Sequence, residues 1–234
     1  MKQPPPITLI ATLVVLALIT FAIALFSLHQ LRESRSDHFL PPPIPLNADP
    51  LEPNPNLSSL SIPEFTLTTQ NNEPFTRDDL RGSITVIDFF FTYCPFICPT
   101  MKTNMKQAQD ALADTGVRFV SFSVDPEHDT PDRLREHAAS IGADTSTWTF
   151  LTADAVQTRR ILREGLLLAD LTLDPSNMIS LPGGAEMPNI THPGRFILLD
   201  HEANILALYN GLDQNEVQAL IERARAADQA LNTN

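Results

Sequence analysis

The chain has 234 residues, enough for one domain of about 150–200 residues with a core of its own, plus appendages. Its 28 acidic against 16 basic residues give a formal charge of −12, which argues against the phosphate-neutralising surface that nucleic-acid binding requires. Two cysteines are too few for a disulfide framework, so their placement calls for local chemistry.

Residues 7–28, ITLIATLVVLALITFAIALFSL, run for 22 residues without a charge. At about 1.5 Å per residue that is enough to cross a hydrocarbon core of about 30 Å, so the run is read as one transmembrane anchor behind a short N-terminus, residues 1–6. A cleaved signal peptide is the competing reading, since Lys2 precedes the run and Ala22-Ile23-Ala24 resembles a cleavage site, but its apolar region is usually only about 7–15 residues. Lys2 on one side and Arg32 and Arg35 on the other leave the orientation undecided. Residues 29–60 are dense in Pro, Asn and Ser and lack apolar periodicity, as in an extended, partly polyproline spacer.

From residue 61 to 234 the pattern is globular. EFTLTTQNNEPFT (64–76) alternates and turns at Asn71-Asn72, which predicts a hairpin, and SITVIDFFF (83–91) reads as a strand buried on both faces. Both cysteines follow that strand. PTMKTNMKQAQDALAD (99–114) predicts a helix with Pro99 in its first turn, and VRFVSFSVD (117–125) a second buried strand. In HDTPDRLREHAASIG (128–142), Thr130 or Asp129 caps a helix with Pro131 at its first position. TWTFLTA (147–153) is a strand, DAVQTRRILREGL (154–166) a helix opened by Asp154, and residues 174–190 an irregular loop. GRFILLD (194–200) and NILALYNG (204–211) are two further strands, and residues 212–231 a closing helix. This order predicts an α/β domain with a mixed central sheet and an N-terminal hairpin, the arrangement of a thioredoxin-like fold with insertions.

Cys94 and Cys98 lie four positions apart at a strand-to-helix junction, each followed by a proline. At that spacing two sulfurs can share one metal or close a disulfide. A helix N-terminus favours thiolate, the form that attacks disulfides and binds metal. Spacing alone leaves redox and metal chemistry both open, and a metal site asks for a third donor.

TYCPFICPTM (92–101), SFSVDPEHDTPDRL (121–134) and NITHPGRFILLD (189–200), in that order and at these separations, resemble the Sco/SenC family of membrane-anchored copper proteins that help assemble the binuclear copper centre of cytochrome c oxidase. The resemblance runs from about residue 62 to the C-terminal helix. It implies a thioredoxin-like fold and copper, as Cu(I), Cu(II) or both, held by two cysteines and a histidine, which fall on Cys94, Cys98 and His192. It also implies a bacterial inner-membrane location, with residues 1–6 cytoplasmic, one span, and the soluble domain facing the periplasm. The implied partner is a cytochrome c oxidase subunit or another cuproprotein client.

The other histidines, His29, His38, His128, His137 and His201, read as spacer, loop or exposed-helix residues, and Met178 and Met187 as loop packing rather than thioether ligands. Asp125 and Asp129 fit two roles, capping the turn and helix or orienting the groups around a metal. Many relatives carry an acidic residue between the cysteines, where this chain has Phe96 and Ile97, an apolar rim that bears on partner recognition. The alternative function is a thiol–disulfide oxidoreductase that keeps a client's cysteines reduced, with Cys94 attacking and Cys98 resolving.

Overall fold

The computed structural model describes residue 20 and residues 49–161, 172–192 and 194–233. The anchor read over residues 7–28 lies, but for one residue, outside these; among the described residues no helix is long and apolar enough to cross a membrane.

The N-terminal hairpin consists of β1 (Thr66–Thr69) and β2 (Pro74–Thr76), with Asn72 in the left-handed region at its turn. Strand β3 (Thr85–Phe90) is buried at every position, as its apolar sequence requires, and leads through the turn holding Cys94 into α1 (Cys98–Ala111). Then come β4 (Arg118–Ser123), α2 (Pro131–Ser140), β5 (Trp148–Thr152) and α3 (Ala155–Arg160). The side chain of Thr130 accepts the N–H of Arg133, so Thr130 and not Asp129 caps α2. Asp154 caps α3 by accepting from the N–H groups of Val156 and Gln157.

Residues 174–190, expected to be an irregular loop, instead form most of an antiparallel hairpin, β6 (Thr172–Ser180) with β7 (Glu186–Thr191). The signal is hidden by Pro175 and Pro188, which break the alternation, and by a register shift between Asp174 and Met178 that bulges residues 175–177 out of the ladder. Gly183 and Gly184, at φ of 91° and 84°, supply the reversal between the strands. Ile179, Met187 and Ile190 point into the core, which holds the hairpin to the domain.

The chain ends with β8 (Arg195–Leu199), β9 (Ile205–Asn210) and α4 (Gln214–Thr233). The main sheet has the order β2-β1-β5-β4-β3-β8-β9, with β3, β4 and β5 parallel and the flanking strands antiparallel. Phe89, Phe119, Trp148, Phe150 and Phe196 are among its largest fully buried side chains. The folded unit starts earlier than residue 61: Asn54 accepts from Asn56 N–H at the head of a 3-10 turn, Pro55–Leu57, and donates its own N–H to the Leu206 carbonyl. Leu57 joins the core, with Leu51 and Leu60 packed against it, so the end of the proline-rich stretch is drawn onto the domain.

Phe196, with no exposed surface, packs its ring near Gly211. Phe196→Ala is expected to destabilise the domain by about 3–5 kcal/mol in urea unfolding, and a loss below about 1 kcal/mol would show that the site collapses around the deletion.

Candidate metal centre

Cys94 and His192 reach one place by way of the sheet. Strand β8 pairs antiparallel with β3, Thr85 opposite Leu199 and Ile87 opposite Ile197, so the start of β8 lies at the end of β3 from which the cysteine turn departs. His192 follows β7 and shortly precedes β8, and is thereby delivered over the N-terminus of α1. Cys98 is the first residue of that helix, and Cys94 lies in the turn before it, its N–H on the Phe91 carbonyl at 3.3 Å.

The Cys98 Sγ to His192 Nε2 distance is 3.3 Å, and the ligand atoms of Cys94, Cys98 and His192 all lie within 4.8 Å of one another. Both cysteines are free thiols, and all three residues are buried. The ring of Phe91, itself fully buried, meets the imidazole edge-on at a centroid distance of 5.7 Å and limits how it can turn. Among the described residues this is the one group of three or more His, Cys, Asp or Glu side chains close enough to share an ion.

The two thiols are unlike. Cys94 is held well below the ordinary thiol value because the Cys98 side chain hydrogen-bonds to it, helped by His192 and by the N–H groups of Cys98 and Phe96 against the cost of burial. Cys98 is pushed up by that same hydrogen bond, by burial and by the negative charge of Cys94. Cys94 is thus the thiol of the pair that ionises first.

Behind the site lies Asp88, a carboxylate in the middle of buried β3. Ser121 donates to its Oδ1 at 2.5 Å, and Trp148 Nε1–H donates to Ser121 Oγ at 2.8 Å. Asp88 was detectable as the one charge within an apolar run, yet its role was not. Asp125 accepts from or pairs with His128 Nδ1 at 2.8 Å, while Asp129 is turned inward, where burial raises it to about 6. His137 is a buried residue and not an exposed one: its ring stacks on Phe90 at 5.2 Å, and burial lowers it to about 3. Met187 belongs to the core and Met178 is exposed on β6. Around the cysteines the surface is apolar, with Phe96 50% exposed, Leu212 41% exposed, and the side chains of Leu212 and Ile97 both close over Gly194.

A dithiol and an imidazole at the end of an inner strand, β3, of a thioredoxin-like sheet define the class of protein. The SCO1/SenC family model matches residues 54–226, and the chain belongs to that family. The SCO1 protein homolog of Bacillus subtilis is 29% identical over 168 residues, 71% of this chain and 82% of the relative. The crystallised BsSco, described as a member of the Sco family of cytochrome c oxidase assembly proteins with a disulfide switch, is 26% identical, with a TM-score of 0.61 over 76% of this chain and 98% of that one. Bradyrhizobium japonicum ScoI, solved with copper bound, shares the fold at 24% identity, with a TM-score of 0.55 over 71% of this chain and 99% of that one.

Burial raises Asp88 to about 6, against the opposing pull of the Ser121 hydrogen bond and the charges of His192 and Lys102. A raised carboxyl contributes stability that is complete below its unfolded value, about 3.9, and is lost as pH rises through about 6. Asp88→Asn keeps the Oδ1 acceptor and removes the buried charge. It is expected to gain about 1–3 kcal/mol over the parent in urea unfolding at about pH 7.5 and nothing at about pH 4. Equal midpoints at both pH values would contradict the raised value.

Proposed function

We propose that this chain is a membrane-anchored copper carrier, in which Cys94, Cys98 and His192 hold copper as cargo and deliver it to the binuclear copper site of cytochrome c oxidase. The observation that carries this reading is the convergence of two sulfurs and one imidazole nitrogen within 4.8 Å. Thiolates are soft donors that select Cu(I), and imidazole serves both copper states. Among the described residues no fourth His, Cys, Asp or Glu joins the group, which suits an ion that must be surrendered. A structural zinc site, by contrast, almost always closes with four ligands. Membership of the SCO1/SenC family, and the description of BsSco as belonging to a family of cytochrome c oxidase assembly proteins, support the client.

In this reading residues 7–28 anchor the chain in a bacterial inner membrane, with residues 1–6 in the cytoplasm and the folded domain in the periplasm. The 22-residue uncharged run supports the span. The apolar rim of Phe96, Ile97 and Leu212 then faces the client, so the contact made during transfer is a dry one.

The unequal thiols favour a second activity at the same site. The Cys94 thiolate attacks a client disulfide, one client sulfur leaves as thiolate, and Cys98, giving up its proton, displaces the second to close a Cys94–Cys98 disulfide. Two electrons pass to the client. The reduced dithiol binds copper and the disulfide does not, so the two activities alternate.

Competition of the reduced protein against a chromogenic Cu(I) chelator is expected to show one tight site. Cys94→Ser, Cys98→Ser and His192→Ala should each weaken it by more than the ~10–100-fold that losing a partner outside the ligand set costs. Unchanged binding in His192→Ala, or no tight site in the parent, would overturn the copper reading. Disulfide exchange lost in Cys94→Ser, yet indifferent to His192→Ala and to copper, would make the oxidoreductase the primary function.

A further inference from the structure

The turn that presents Cys94 is gripped by a side chain more than thirty residues further on. The carboxylate of Asp129, with no exposed surface, accepts the Thr92 hydroxyl on Oδ1 at 2.6 Å, the Ser123 hydroxyl on Oδ2 at 2.6 Å, and the Thr92 N–H across both oxygens at 3.3 and 3.2 Å. The direction of each bond follows from its neighbours. Thr92 Oγ1 receives Arg133 Nε–H at 3.2 Å and Ser123 Oγ receives the Asp125 N–H at 3.1 Å, so both hydroxyl protons are left for Asp129. Every group hydrogen-bonded to this carboxylate is therefore a donor, and only an acceptor at both oxygens satisfies them.

On the outer side of the same turn, the Arg133 guanidinium lies 4.6 Å over the Tyr93 ring, which also meets His128 edge-on. Residues 92 and 93 are thus held from within by Asp129 and from without by Arg133, and Cys94 is the next residue. Capping of α2 is already supplied by Thr130, which leaves the Asp129 side chain free of that task.

We infer that Asp129 is a positioning residue for Cys94, acting through Thr92 to fix the sulfur at the place where Cys98 and His192 meet it. This rests on the reading of Cys94 as a copper ligand. Asn at 129 is nearly the same size but turns a donating NH2 group toward either Thr92 or Ser123, which breaks one half of the clamp. Val at 92 keeps the backbone N–H bond and removes the hydroxyl one, whereas Ser at 92 keeps both.

The test is a double-mutant cycle on the full chain, with Cu(I) affinity measured by chelator competition and unfolding followed separately in urea. Asp129→Asn is expected to weaken Cu(I) binding by ~10–100-fold, Thr92→Val by about tenfold, and the double variant no more than Asp129→Asn alone. Thr92→Ser should bind like the parent. The Cu(II)–thiolate absorption of Asp129→Asn and Thr92→Val, but not of Thr92→Ser, should shift from that of the parent. If the variants unfold at lower urea yet bind Cu(I) within about twofold of the parent, with unchanged spectra, Asp129 only supports the fold and the inference is overturned. Should Asp129→Asn fail to fold, the contrast between Thr92→Val and Thr92→Ser decides by itself. A parent without a tight site would instead overturn the copper reading, and this inference with it.

Discussion

The antiparallel pairing of β8 on β3 is the constraint on which the site depends. Cys98 and His192 are 94 residues apart in sequence, and nothing local brings them together. What does so is that an antiparallel neighbour must begin where β3 ends. Both strands are buried on both faces, and a slip of one residue would exchange the side chains that Val86, Ile87, Ile197 and Leu198 pack against the two covering layers, which holds this register. The 3.3 Å contact between Sγ and Nε2 is therefore a consequence of sheet packing, secured by the same apolar burial that stabilises the domain.

Around that contact the protein places unlike neighbours for separate purposes. The Cys98 side chain, helped by His192 and by the N–H groups of Cys98 and Phe96, holds Cys94 well below the ordinary thiol value, while the same contact and burial push Cys98 up. Phe91 restricts the imidazole, and buried Asp88 stands behind the site on the same strand. Outward, the rim of Phe96, Ile97 and Leu212 carries no charge. A copper ion at this place would gain two soft donors and one imidazole and lose little to water.

Much of this was legible in the sequence, for reasons that differ by residue. The alternation of strand and helix, the hairpin at Asn71-Asn72 and the Thr130–Pro131 helix start rest on local chemistry, and each was readable locally. Cys94 and Cys98 stood out because prolines and a buried strand bracket them. His192 could not be inferred from its surroundings; only the three motifs in register pointed to it. The β6–β7 hairpin was missed because Pro175 and Pro188 obscure its period and a bulge shifts its register. His137 looked exposed among Arg and Glu neighbours, yet the helix turns it onto Phe90. Asp129 was ambiguous for a plainer reason: capping and clamping use the same residue type at the same place, and only side-chain directions separate them.

Extended X-ray absorption at the copper edge of the loaded protein tests the central claim most directly. Two sulfurs and one imidazole nitrogen around each copper, with the imidazole signal lost in His192→Ala, are the predicted result. A shell with fewer than two sulfurs, or an imidazole signal that survives His192→Ala, would contradict it.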